Sequence, residues 1–216
     1  MEKEHLIFTN PCEHIITPVL GKRLPINVIT ERDIQDLMRT PDIDTILGFR
    51  DRTILELFYS TGIRRAECFN LKVNDVDYKG GYLRVNLGKG QKDRVIPIGK
   101  TACFYLKEYL LRIRPAFKTE NKSLFLTNDG QSLSKQSIEV IVKKYAKRAG
   151  ILKQVTPHTL RRSFATHMLK NGAHPMYIQK ILGHQSLDVL NKYIEIAGVD
   201  LKATHHKTHP REKDHD

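Results

Sequence analysis

A histidine and an arginine three residues apart at the start of a helix suit an anion such as phosphate, and this sequence has that pair in His158 and Arg161. Thr156 is a capping residue and Pro157 fits the first helical position, so both side chains lie on one face of the opening turn. The unpaired N–H groups of that turn also welcome negative charge. Further along, Leu182-Gly183-His184 sets an imidazole at a glycine turn, and Tyr193 follows nine positions later in an amphipathic stretch. Chemically, a guanidinium binds phosphate oxygens, an imidazole moves a proton, and a phenol is a nucleophile once its proton is taken. Taken singly, His158 reads equally well as a capping or core histidine, and Tyr193 as a packing tyrosine. Two other motifs are set aside. Gly99-Lys100-Thr101 has the ending of a nucleotide-binding loop, but Arg94 stands where that loop needs glycine. His205, His206 and His209 lie in a polar tail with no cysteine or carboxylate at ligand spacing, so they are read as solvated and no metal is assigned.

Helices must carry most of these groups. Thr30 and Asp33 form a capping-box pattern for a first helix running to about Arg39, and Ile46 through Phe58 carry a core-facing pattern that stops at Gly62. A short helix from Arg64 to about Leu71 follows. Two β-prone runs, Tyr82 to Leu87 and Arg94 to Ile98, flank Gly88-Lys89-Gly90-Gln91-Lys92-Asp93 and predict a hairpin with a basic, glycine-rich tip. Helices are predicted again over about 101–114, 134–149, 157–171, 175–182 and 186–195, with Gly150, Gly172 and Gly183 at stop positions. The fold class is therefore mainly α with a small antiparallel β-sheet (α+β). Residues 1–25, with Asn10-Pro11, Pro18 and Gly21, read as an extended linker, 26–197 as the main domain, and 198–216 as a C-terminal helix or tail.

Across 216 residues, 36 Lys and Arg face 24 Asp and Glu, a formal charge of +12 that attracts polyanions. Nucleic acid is favoured over a membrane because no apolar stretch approaches a membrane span and no signal sequence opens the chain. Cys12, Cys68 and Cys103 are odd in number and widely spaced, which fits a reducing cytoplasmic setting and neither a disulfide framework nor a zinc site.

In combination these segments resemble the tyrosine recombinases, the phage-integrase group that includes the Xer resolvases. The signatures are Thr61-Gly62-Ile63-Arg64-Arg65-Ala66-Glu67, Gly88-Lys89-Gly90-Gln91-Lys92-Asp93-Arg94-Val95-Ile96-Pro97, His158-Thr159-Leu160-Arg161, and Leu182-Gly183-His184 with Tyr193 at the family spacing. Together they cover about residues 25 to 210. The resemblance implies the tyrosine-recombinase catalytic-domain fold and a catalytic set of Arg64, Lys89, His158, Arg161, His184 and Tyr193. Transesterification at a phosphodiester loads negative charge onto nonbridging oxygens, which Arg64 and Arg161 would clamp and His184 would hydrogen-bond. His158 would be base or proton-holding partner for Tyr193, and Lys89 would protonate the leaving 5′-oxygen. The product would be a 3′-phosphotyrosyl link whose ester energy is reused for rejoining, so the reading needs no cofactor and no metal. Glu67 is read as structural, paired with a cation on its helix. Lys92, Arg94 and Arg162 are expected to contact the DNA backbone.

Three positions depart from the family pattern. Ile194 and Glu195 follow the nucleophile where relatives commonly have a small hydroxyl residue and then histidine, and Arg65 is charged where an uncharged or apolar residue is usual. Relatives also carry a separate N-terminal helical domain that this chain does not contain, so DNA binding is expected to be weak and strongly salt-sensitive. The expected partner is double-stranded DNA, with a tetramer on DNA and a monomer without it, and the segment from Leu201 to Lys207 reaching a neighbouring subunit. The alternative readings are a type IB topoisomerase-like enzyme and a non-catalytic DNA-binding accessory protein.

Overall fold

The structure, a computed structural model, describes residues 27–86, 93–183 and 193–194. Its first helix, α1 (Glu31–Arg39), begins as the sequence predicts. The Thr30 hydroxyl accepts from the Asp33 N–H at 3.0 Å and the Asp33 carboxylate accepts from the Thr30 N–H at 2.8 Å. Helix α2 (Ile46–Thr61), capped by Thr45, ends at Gly62 in the left-handed region. Ile54, Leu55, Leu57 and Phe58 are all fully buried, so α2 is enclosed on successive faces instead of showing one apolar stripe. Each such side chain contributes about 2 kcal/mol by leaving water. Helix α3 (Arg65–Asn70) follows directly, with Arg64 as its capping residue.

The sheet has three antiparallel strands in the order β1 (Val76–Asp77), β2 (Tyr82–Val85), β3 (Arg94–Pro97). Leu83 faces both Val76 and Ile96, and Leu83, Val85 and Ile96 point into the core while Arg84 and Val95 face out. Strand β1 was not foreseen, since two residues are too few to show alternation. The turn after it is built by Asp77, whose carboxylate accepts the N–H groups of Lys79 and Gly80.

The helix predicted over 101–114 is α4 (Lys100–Glu108) continued by a wider π turn over Tyr109–Ile113 and a 3₁₀ turn over Arg114–Phe117. Pro115 supplies no N–H and cannot extend an α-helix, and Tyr109 is fixed in the core by donating its hydroxyl to Leu124 O at 3.1 Å. Helices α5 (Lys135–Arg148), α6 (Pro157–Lys170) and α7 (Pro175–Leu182) lie where they were predicted. Tyr193 and Ile194 are helical, and the rest of the helix predicted over 186–195 lies outside the described residues, as do the proposed linker and tail.

A buried polar network ties α2 to α5. Arg50 donates Nε and Nη2 to Asp51 Oδ1 and Nη1 to Leu126 O, while the Tyr145 hydroxyl donates to Asp51 Oδ2 at 3.0 Å. With each of these partners met, the charges are tolerated inside the core. A smaller apolar cluster of Phe164, Ala165, Leu169, Ile178, Leu182 and Tyr193 joins α6 to α7 and to the segment holding the phenol. Among the described residues no helix is long and apolar enough to cross a membrane.

Candidate active site

The site is organised by Arg161, one turn into α6 and only 2% exposed. Its Nη1 donates to Gly62 O at 2.6 Å and its Nη2 to Leu182 O at 2.7 Å. Gly62 terminates α2 and Leu182 is the last residue of α7, so one guanidinium satisfies carbonyls at the ends of two helices. Helix C-termini carry partial negative charge, and the arrangement supports a buried cation. Burial lowers the Arg161 pKa to about 10, helped by the Arg64 charge and opposed by Glu67 and Tyr193. It therefore keeps its charge at neutral pH. Those same influences place Arg64, Glu67 and the Tyr193 phenol within electrostatic reach of the Arg161 guanidinium.

Arg64 sits at the entrance to α3. Its backbone N–H donates to Glu67 Oε2 at 2.6 Å and its Nη1 to Glu67 Oε1 at 3.1 Å, leaving a side chain 42% exposed. Glu67 itself is buried. Burial would raise its pKa, but hydrogen bonds from Arg94 and from the Arg64 N–H outweigh that and hold the carboxyl below its usual range. The structural part expected of Glu67 is thus filled, with a second cation that the sequence did not single out as its partner.

A cleft of about 370 Å³ opens over this group, lined by Arg64, Arg65, His158 and Arg161 among others. Arg65, the charged departure noted in the sequence, pairs there with Glu139, which also holds Lys143 at 2.7 Å. His158 stands exposed on the first turn of α6, whose cap is Thr156, accepting from the Thr159 N–H at 3.2 Å. Partial loss of solvent lowers the His158 pKa, followed by the charges of Arg162, Arg161 and Arg64. A neutral imidazole at neutral pH is what a proton acceptor requires. An Arg162→Gln chain is expected to move the His158 titration to higher pH, because a neighbouring cation that opposes protonation is gone. Imidazole NMR titration of the two chains checks this, and a wild-type His158 that titrates at or above 6.5 would contradict it.

Tyr193 is 4% exposed and belongs to the apolar cluster of Phe164, Ala165, Leu169, Ile178 and Leu182, with its phenol within electrostatic reach of Arg161. The structure thus gathers Arg64, His158, Arg161 and Tyr193 in one region, while Lys89, Lys92 and His184 lie outside the described residues. Arg162 is half-buried beside Arg161. Arg94, expected to contact the DNA backbone, is engaged within the protein in this structure. Its side chain is 11% exposed, its fork meets both oxygens of Glu67 at 2.9 and 3.0 Å, and its Nε donates to Ile181 O at 2.9 Å. Sequence rules describe neighbours within an element, and none links position 94 to a carboxylate 27 residues earlier. The carbonyls of Gly62 and Leu182 were also missed, although glycine after each helix marked where free carbonyls would lie.

Comparison with known proteins agrees with the geometry. The profile of the Phage integrase family matches residues 27–198. The chain is 40% identical over 211 residues to tyrosine recombinase XerD of Staphylococcus epidermidis, covering 97% of this chain and 71% of that protein. Tyrosine recombinase XerD of Listeria innocua is also 40% identical, over 94% of this chain and 68% of its own length. The crystal structure of XerA recombinase superposes with a TM-score of 0.75 at 32% identity, covering 90% of this chain and 68% of that one. With the arginine-lined cleft and the buried phenol, these matches establish that the chain belongs to the phage integrase family, among the tyrosine-type site-specific recombinases.

Proposed function

We propose that the protein cuts and rejoins double-stranded DNA without a metal, through a 3′-phosphotyrosyl intermediate on Tyr193. The observation that supports this most is the convergence of Arg64, His158 and Arg161 on one cleft, with the Tyr193 phenol within electrostatic reach of Arg161. In the proposed step the phenol oxygen attacks the scissile phosphorus and its proton passes to His158. Arg64 and Arg161 take up the charge on the nonbridging oxygens, the bond to the 5′-oxygen breaks, and Lys89 protonates that departing oxygen to give the 5′-hydroxyl. His184 adds a donor to the same oxygens. Rejoining runs the step in reverse with an incoming 5′-hydroxyl, so the ester's energy is conserved.

Lys92 and Arg162 contribute backbone contacts in this reading. Residues 26–197 act as the catalytic unit, and four copies assemble on DNA through the 198–216 segment from chains that are monomeric without it.

A duplex carrying a nick near the cleavage point tests the proposal, because the short 5′-hydroxyl fragment diffuses away and traps the intermediate. Wild-type protein is expected to become covalently attached in the presence of a chelator, and Tyr193→Phe to remain unattached. Attachment of the Phe variant, or none by the wild type, would refute the assignment.

A further inference from the structure

We propose that Arg94 is a positioning residue for strand cleavage, holding three segments of the site in register instead of touching DNA. This rests on the cleavage reading above. Arg94 opens β3, directly after the segment that contains Lys89. From there its Nη1 and Nη2 meet the two Glu67 oxygens at 2.9 and 3.0 Å, and those same oxygens accept the Nη1 and the backbone N–H of Arg64. Its Nε donates to Ile181 O in the last turn of α7 at 2.9 Å. The flat of the side chain lies against Gly183, where a Cβ would stand 3.3 Å from Cδ, Nε and Cζ. Gly183 immediately precedes His184.

One planar group therefore joins the α3 entrance, the α7 exit and the strand after the hairpin tip, each adjoining a residue of the proposed catalytic set. Three of its five N–H donors are committed to these partners, and the side chain is only 11% exposed. A lysine cannot replace it, since a single ammonium does not span Glu67 and Ile181 with the directed geometry of a guanidinium fork.

Arg94→Ala and Arg94→Lys, measured with the nicked duplex, separate the two roles. For a positioning residue, the rate of covalent attachment at saturating DNA falls about 100-fold, the scale of an ångström-sized misplacement. The dependence of DNA affinity on salt stays as in the wild type. In Arg94→Ala the acid limb of the rate also moves to higher pH, because burial of Glu67 then has less to oppose it. A lost phosphate contact would instead lower the salt slope by about 0.9 and spare the saturated rate. Glu67→Gln, nearly identical in shape, covers the case in which the Arg94 variants do not fold, and the same loss of saturated rate is expected from it.

Wild-type rates in Arg94→Ala or in Glu67→Gln, or a reduced salt slope with an unchanged saturated rate, would overturn the role given to Arg94. A wild-type chain that never attaches would overturn the cleavage reading itself.

Discussion

Arg161→Lys is expected to lose about 1,000-fold or more in covalent attachment to DNA and, at the same time, about 3 kcal/mol of stability. The two losses share one cause. The guanidinium holds Gly62 O at 2.6 Å and Leu182 O at 2.7 Å from separate nitrogens, and it also lines the cleft. An ammonium on a flexible stem keeps the charge but cannot direct parallel hydrogen bonds toward two helix ends and a phosphate. At least one buried carbonyl is then left without a donor, which is where the stability goes. For a chain of this size the loss corresponds to a fall of roughly 6–12 °C in Tm. Calorimetry and the nicked-duplex assay on the same preparation check it. A lysine variant that melts within a degree or two of wild type would show that the helix-end contacts contribute little.

Gly62→Ala should be far more damaging than the same change at Gly172. Gly62 has φ +61°, and a Cβ there would lie 2.6 Å from Phe164 Cδ1 and 2.8 Å from Leu182 Cδ2. The left-handed backbone costs an alanine about 1 kcal/mol and the overpacking about 2 more, some 3 kcal/mol in all. Gly172→Ala is the control, since φ is +84° there but a Cβ would meet nothing within 4 Å, and about 1 kcal/mol is expected. Chemical denaturation of both variants isolates the steric part as their difference. The functional loss should exceed the loss of stability. Phe164 and Leu182 pack with Tyr193, and the Gly62 carbonyl is one of the two that hold Arg161. Equal destabilisation of the two variants would mean that Phe164 and Leu182 yield freely, and that the cluster around the phenol is soft.

The helices were legible because each carries its own start and stop. Thr30, Ser134 and Thr156 each accept an N–H three residues on, and Gly62 and Gly183 adopt the left-handed conformation that ends α2 and α7. Strand β1 and the π turn after α4 were not legible, since one is two residues long and the other is set by where Tyr109 must be buried. In the site, residue types and order pointed to Arg64, His158, Arg161 and Tyr193, and the fold brings them together. What each side chain does when no DNA is present could not be read in that way. Arg94 carries the same charge as a backbone-contacting arginine, and only the placement of Glu67 and Ile181 turns it inward. Likewise, nothing local to Arg161 discloses that its first partners are two main-chain carbonyls.

Those two carbonyls also set an order of events in the cell. Gly62 is 99 residues before Arg161 and Leu182 is 21 after it, so the guanidinium acquires both partners only when α2, α6 and α7 have all docked. A chain emerging from the ribosome amino end first has made α2 and α6 before α7, so Arg161 waits for its last carbonyl until that helix has formed.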